Sequence, residues 1–156
     1  MSRQTFYEKL EITKILHQLE EIAILPPVKQ AIHTMNEERN IEQLEKVLTR
    51  VDEALKIIYR YDRAPFLIAS DYYLLLNITQ KGGILSGAEL YETVRLFSTI
   101  HANQKLAIQL GKEHIDAEYY VTLVGQLYII NELAKELQQT IDDTGFILDD
   151  ATPTLK

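Results

Sequence analysis

The sequence contains no cysteine, and that one absence removes disulfides, thiolate metal sites and a cysteine nucleophile together. A cysteine-free chain suits a reducing compartment. Long apolar runs are missing too: none approaches the roughly 20 residues that span a bilayer. The opening MSRQTFYEKLEITKI carries charge every few residues and so offers no signal-peptide core. The expectation is a cytoplasmic protein without membrane contact. Clustered positive charge is also absent. Residues 1–112 hold 14 basic and 14 acidic side chains, while the last 44 set nine acids against Lys135 and Lys156 and so account for the whole net charge of −7. A surface that grips nucleic acid needs grouped cations to displace counterions from phosphates. The nearest approach is Arg60 and Arg63 among Tyr59 and Tyr61, which an exposed helix end explains equally well. The chain has no internal repeat and no low-complexity tract, and its 156 residues fit one domain.

What is present is apolar residues at helical spacing. Ile12, Ile15, Leu16, Leu19, Ile22 and Ala23 form one face of a first helix, which Pro26-Pro27 ends. Pro27 then sits in the first turn of a short helix running to about Met35. Ile41, Leu44, Leu48, Val51, Leu55 and Ile58 alternate steps of three and four, a heptad-type seam on a third helix capped by Asn40 and ended by Pro65. A short helix over Ser70–Ile78 stops at Lys81-Gly82-Gly83. Ser86-Gly87-Ala88-Glu89 reads as a capping box opening a helix with Leu90, Val94, Phe97 and Ile100, and Gly111 as its C-cap. One last long helix puts Tyr120, Val124, Leu127, Ile130, Ala134, Leu137 and Ile141 on a side, with Gly125 expected to mark close packing. Phe146-Ile147-Leu148 reads as extended. The expected fold is all-α, an elongated bundle of about five to six helices with a short extended segment near the C-terminus.

Motifs that carry chemistry are scarce. The stretch from Gly82 to Glu89 has the glycine spacing of a phosphate loop, but Ala88 and Glu89 stand where a lysine and a hydroxyl residue must be. A turn before a capped helix accounts for it. His17, His33, His101 and His114 form no His-Glu-x-x-His pair, and His101, next along the seam after Phe97, is expected half-buried. Asp142-Asp143 and Asp149-Asp150 lack calcium-loop spacing and read as turn residues. The residues therefore offer no catalytic, cofactor-binding or metal-binding set. Tyr72-Tyr73 and Tyr119-Tyr120 are the candidate interface residues, because helical neighbours diverge by about 100° and one of each pair can pack while the other reaches solvent. Core packing is the plainer reading of the same four.

Three stretches, in order, resemble the start of the MutS-two branch of the MutS family of DNA mismatch-repair ATPases. They are Ile41-Glu42-Gln43-Leu44 through Val51-Asp52-Glu53-Ala54 with Ala64-Pro65-Phe66, then Gly83 to Leu90, then Ile141 to Leu155. Leu10-Glu11-Ile12 and the residues after it also fit the family's opening helix. The sequence departs from the family at Leu67 and Ile68, where two glycines are usual, at Gly87, usually proline, and at Phe146, usually glutamate. The resemblance implies that residues 1–156 are a single helical core or lever domain, the N-terminal fragment of a longer protein, inert by itself. It implies further that ATP and magnesium are bound by the full-length protein and not by this chain. The same holds for a homodimer, for contact with DNA or structured RNA, and for the nuclease domain of many members: all belong beyond Lys156. A free-standing helical adaptor and, behind it, a histidine phosphocarrier are the competing readings.

Overall fold

Backbone groups at helix ends need partners, and how this chain supplies them sets most of its boundaries. The computed structural model describes residues 10–36, 38, 40–66 and 71–148. Among them are seven helices: α1 (Ile12–Ile22), α2 (Pro26–His33), α3 (Ile41–Tyr61), α4 (Tyr72–Gln80), α5 (Gly87–Lys112), α6 (Glu118–Gly125) and α7 (Asn131–Thr140). The all-α expectation holds among the described residues, with an isolated antiparallel bridge between Ile141 and Ile147 as the short extended element. The pairs Leu67-Ile68 and Asp149-Asp150, with Ser70 and the stretch after Leu148, lie outside the described residues. The chain divides into two compact units.

The first unit comprises Met1–Glu37 with Ala69–Tyr73. In it α1 and α2 pack together, and Pro26 and Pro27 fill the first two positions of α2, where a missing N–H costs nothing. His33 Nε2 lies 3.1 Å from Glu20 Oε1, tying the end of α2 to α1.

The second unit comprises Glu38–Ile68 with Leu74–Lys156, and its core is small: Ile57 of α3, Leu106 and Leu110 of α5, and Ala117 at the start of α6. Asn40 Oδ1 caps α3 by accepting from Glu42 N–H at 2.9 Å and Gln43 N–H at 3.2 Å. The capping box of α5 is complete, with Ser86 Oγ accepting from Glu89 N–H while Glu89 Oε2 accepts from Ser86 N–H at 2.7 Å. Donation from the Ser86 N–H and then from its hydroxyl to Glu89 Oε2 holds the Glu89 carboxyl below its ordinary value. The turn at Asp142–Gly145 closes on Asp142 Oδ1, which accepts from the backbone N–H groups of Thr144 and Phe146. Gly145, with φ +85°, brings its carbonyl against Gly87 so closely that a side chain at 87 would meet it. The departure from proline at Gly87 therefore coincides with a backbone-to-backbone contact between this turn and the start of α5.

The sequence expectations fail at four places. The single last helix is two, and in the link between them Leu127 C=O accepts from Gln104 Nε2 of α5 at 3.1 Å. Gly125 closes α6 there, and its α-carbon faces open space rather than a packed neighbour. His101 is exposed, since the buried side of α5 runs through Ile100, Asn103, Leu106 and Leu110 one position round. Gly111 stays inside α5, and His114 takes the left-handed position after it, φ 55°, in a Schellman end where Ile115 N–H reaches Leu110 C=O. The equivalent end of α4 uses Gly82 at φ +78°. A β-carbon in that conformation costs about 1–2 kcal/mol, so His114→Gly is expected to raise stability by about 1 kcal/mol in urea unfolding. An unchanged or lower midpoint would show that the His114 side chain contributes contacts worth more than the strain.

Candidate interaction surface

Helix α6 is only 8 residues long, and Ala117 stands at its N-cap position with a methyl group that cannot cap it. A helix this short does not persist alone in water. Its cap comes from another helix: Glu53 of α3, only 4% exposed, accepts from Tyr119 N–H at 3.0 Å through Oε1 and from Tyr120 N–H at 2.9 Å through Oε2. The carboxylate thus meets two free donors and the positive end of the helix dipole at once. Neighbouring turns of α3 repeat the attachment. Lys56 Nζ donates to Asp116 C=O at 3.2 Å, and Arg60 Nε donates to Glu113 Oε2 at 2.8 Å. Hydrogen bonds from Gln109 and then Arg60 hold the Glu113 carboxyl below its ordinary value. Arg50 lies over the Tyr119 ring, 4.2 Å from its centroid. Lys46, Thr49, Arg50 and Glu53 of α3 and Glu118, Tyr119 and Thr122 of α6 line an open groove between the two helices.

The four tyrosines fall out unequally. Tyr120 packs against the core and its hydroxyl donates to Asn103 Oδ1 at 2.6 Å. Asn103, buried, in turn donates to the carbonyls of Pro65 and Thr99, both at 2.8 Å, which fixes the Ala64-Pro65 segment. Tyr119 is 40% exposed beneath Arg50, and Tyr73 is 73% exposed on α4. Tyr72 is half-buried. The structure thus brings Tyr119 and Tyr120 to one corner of the second unit, while Tyr72 and Tyr73 belong to the first.

Residues that the tyrosine argument missed are more prominent. Because α3 is held by Glu53, Lys56, Ile57 and Arg60, its heptad seam lies on the far side. Ile41, Leu44, Leu48, Val51, Leu55 and Ile58 are 39–71% exposed, so the periodic face is not the buried one. The period was legible; the side that packs was not, because the partners that Glu53 and Lys56 find outside α3 lie 60 or more positions further along the chain. Among the described residues no group of three or more His, Asp or Glu side chains converges as a metal ion requires. No described helix is long and apolar enough to cross a membrane.

These features define a class, a helical domain that offers apolar helix faces for contact. No protein-family model matches the chain. Individual proteins do. The chain is 27% identical over 154 residues to a MutS2 protein of Bacillus subtilis (strain 168), covering 99% of this chain and 20% of that one. It is 26% identical over 146 residues to the endonuclease MutS2 of Listeria welshimeri, with 94% and 19% covered. Over 75 residues it is 35% identical to the endonuclease MutS2 of Enterococcus faecalis, 48% of this chain and 10% of that one. The chain spans about a fifth of the length of the relatives it matches end to end. The similarity supports a MutS-related domain.

Two measurements check the corner. Glu53→Ala leaves two partly buried donors unmet and is expected to cost about 2 kcal/mol in urea unfolding, with Glu53→Gln intermediate. A loss under about 0.5 kcal/mol would mean that α6 does not depend on this cap. Burial pushes the Tyr120 hydroxyl from 10.0 up to about 12. The unfolded chain releases that proton first, so stability is intact below pH 10 and falls as pH rises from there toward 12. Tyr120→Phe is expected to remove that alkaline loss; an unchanged alkaline profile would exclude Tyr120 as its source.

Proposed function

We propose that this chain is the structural core, or lever, domain of a MutS-like DNA-binding ATPase acting in mismatch repair or control of recombination. It links an ATPase dimer to arms that close on nucleic acid and performs no chemistry itself. The observation that carries this reading is the similarity to MutS2 proteins along nearly the whole chain, although the chain is about a fifth of their length. The exposed apolar faces of α1 and α3 suit a domain that packs against other parts of a larger protein. On this reading the working protein is a cytoplasmic homodimer that binds ATP and magnesium and contacts DNA or structured RNA through regions outside these 156 residues. Nuclease activity, for which the Listeria and Enterococcus relatives are named, would also lie outside. The tyrosines Tyr72, Tyr73, Tyr119 and Tyr120 remain proposed contact residues of the domain.

The exposed seam of α3 favours a second reading, a free-standing helical adaptor. An antibody raised against the domain separates the two by the mass of the native gene product in cell extract. The expected result is a band several times heavier than 18.0 kDa that is retained on ATP resin. A band at 18.0 kDa would overturn the ATPase-core reading and put the adaptor first.

A further inference from the structure

The seam on α3 has an unusual origin. Most amphipathic helices turn their apolar stripe to the core, because that burial stabilises the fold. Here the opposite side is bonded down by Glu53, Lys56 and Arg60, with Ile57 between them in the core. Rotating α3 to bury its seam would break all of these. The stripe is therefore held outward by the fold, for about 26 Å at 1.5 Å per residue from Ile41 to Ile58.

Its chemistry points to one kind of occupant. Alternating steps of three and four match the knobs and holes of another helix, whereas an extended strand presents side chains at a period of two. The two borders of the stripe differ. Glu45 and Asp52 lie along one border, and Val47 and Ala54 along the other. Asp52 pairs with Lys56 at 2.9 Å, and Glu45 has no ion pair among the described residues. A second copy laid antiparallel would set the acidic border against itself. Laid parallel, it would face that border with Val47 and Ala54 and form no ion pair. An anionic lipid surface would repel the same carboxylates. A helix whose apolar stripe is edged with lysine or arginine satisfies both the seam and the charge.

We propose that the outward face of α3 is a docking surface for an amphipathic partner helix with basic residues bordering its apolar stripe. Leu44, Leu48, Val51 and Leu55 supply the buried contacts, and Glu45 with Asp52 selects the charge. This assignment stands on the geometry of α3 and does not depend on the repair reading.

The test uses the full 156-residue chain and fluorescent helical peptides matched to the 21 residues of α3. One peptide carries leucine and isoleucine at heptad positions a and d with lysine at e and g. The second has glutamate at e and g; the third keeps the lysines but scrambles the apolar order. The expected result is saturable binding of the first, weaker by at least about tenfold for each of the others. Leu48→Gln and Val51→Gln, both at exposed positions, should weaken the first peptide by about tenfold while circular dichroism stays unchanged. Glu45→Lys should narrow the preference between the first two peptides. Equal binding of all three peptides, or binding unaltered by the seam variants, would overturn the proposal. So would self-association in sedimentation that Leu48→Gln abolishes, or binding to anionic vesicles that it abolishes.

Discussion

A buried carboxylate costs several kcal/mol unless its oxygens find donors, and in this protein Glu53 finds them at the open end of a neighbouring helix. Much of the second unit follows from that exchange. The start of α6 cannot cap itself, because Ala117 has no side-chain acceptor and its buried methyl belongs to the core beside Leu110. A larger polar residue at 117 would supply a cap and lose the packing. Borrowing the cap from α3 keeps both, and it ties two elements far apart in sequence with backbone donors as the recognised groups. Tyr119 and Tyr120, which supply those donors, then point their rings to different surroundings: one beneath Arg50, the other toward Asn103.

The orientation of α3 is the second consequence. Once Glu53, Lys56 and Arg60 are committed to the segment from Glu113 to Tyr120, α3 gives the core Ile57, with Tyr61 packed partly against it. The unit gives up burial of a long apolar stripe and is left with a small core around Leu110. Contacts between polar groups thus fix the geometry, and apolar surface is left outside. This is the reverse of the usual division between a hydrophobic interior and a charged exterior, and it suits a domain whose contacts continue into something else.

Two further polar devices hold the rest of the unit. Asn103 joins the Tyr120 hydroxyl to the carbonyl of Pro65 and so fastens the end of the α3 segment to α5. The turn made by Asp142 and Gly145 rests on Gly87 at the start of the same long helix. Helix α5 is in this way the member that both ends of the unit are pinned to. The segment with phosphate-loop glycine spacing is where that turn docks, with Ser86 and Glu89 bonded to each other and the Gly145 carbonyl set against Gly87.

Local rules were enough to place α1 to α5 to within a few residues. Proline pairs, an Asn40 cap and the Ser86–Glu89 box act within a turn or two of where they stand. The likeness to MutS2 proteins was legible for the same reason, being carried by runs such as Ala64-Pro65-Phe66 and Asp142-Asp143-Thr144-Gly145 that specify local geometry. The break between α6 and α7 was not legible, since apolar residues keep helical spacing straight through it. Nor was the outward seam. The period of apolar residues on a helix is a property of the sequence, but which side packs depends on what the opposite side can bond. Here Glu53, Lys56 and Arg60 bond the opposite side to groups some 50 to 70 positions further along the chain, and only the tertiary structure brings those partners within reach.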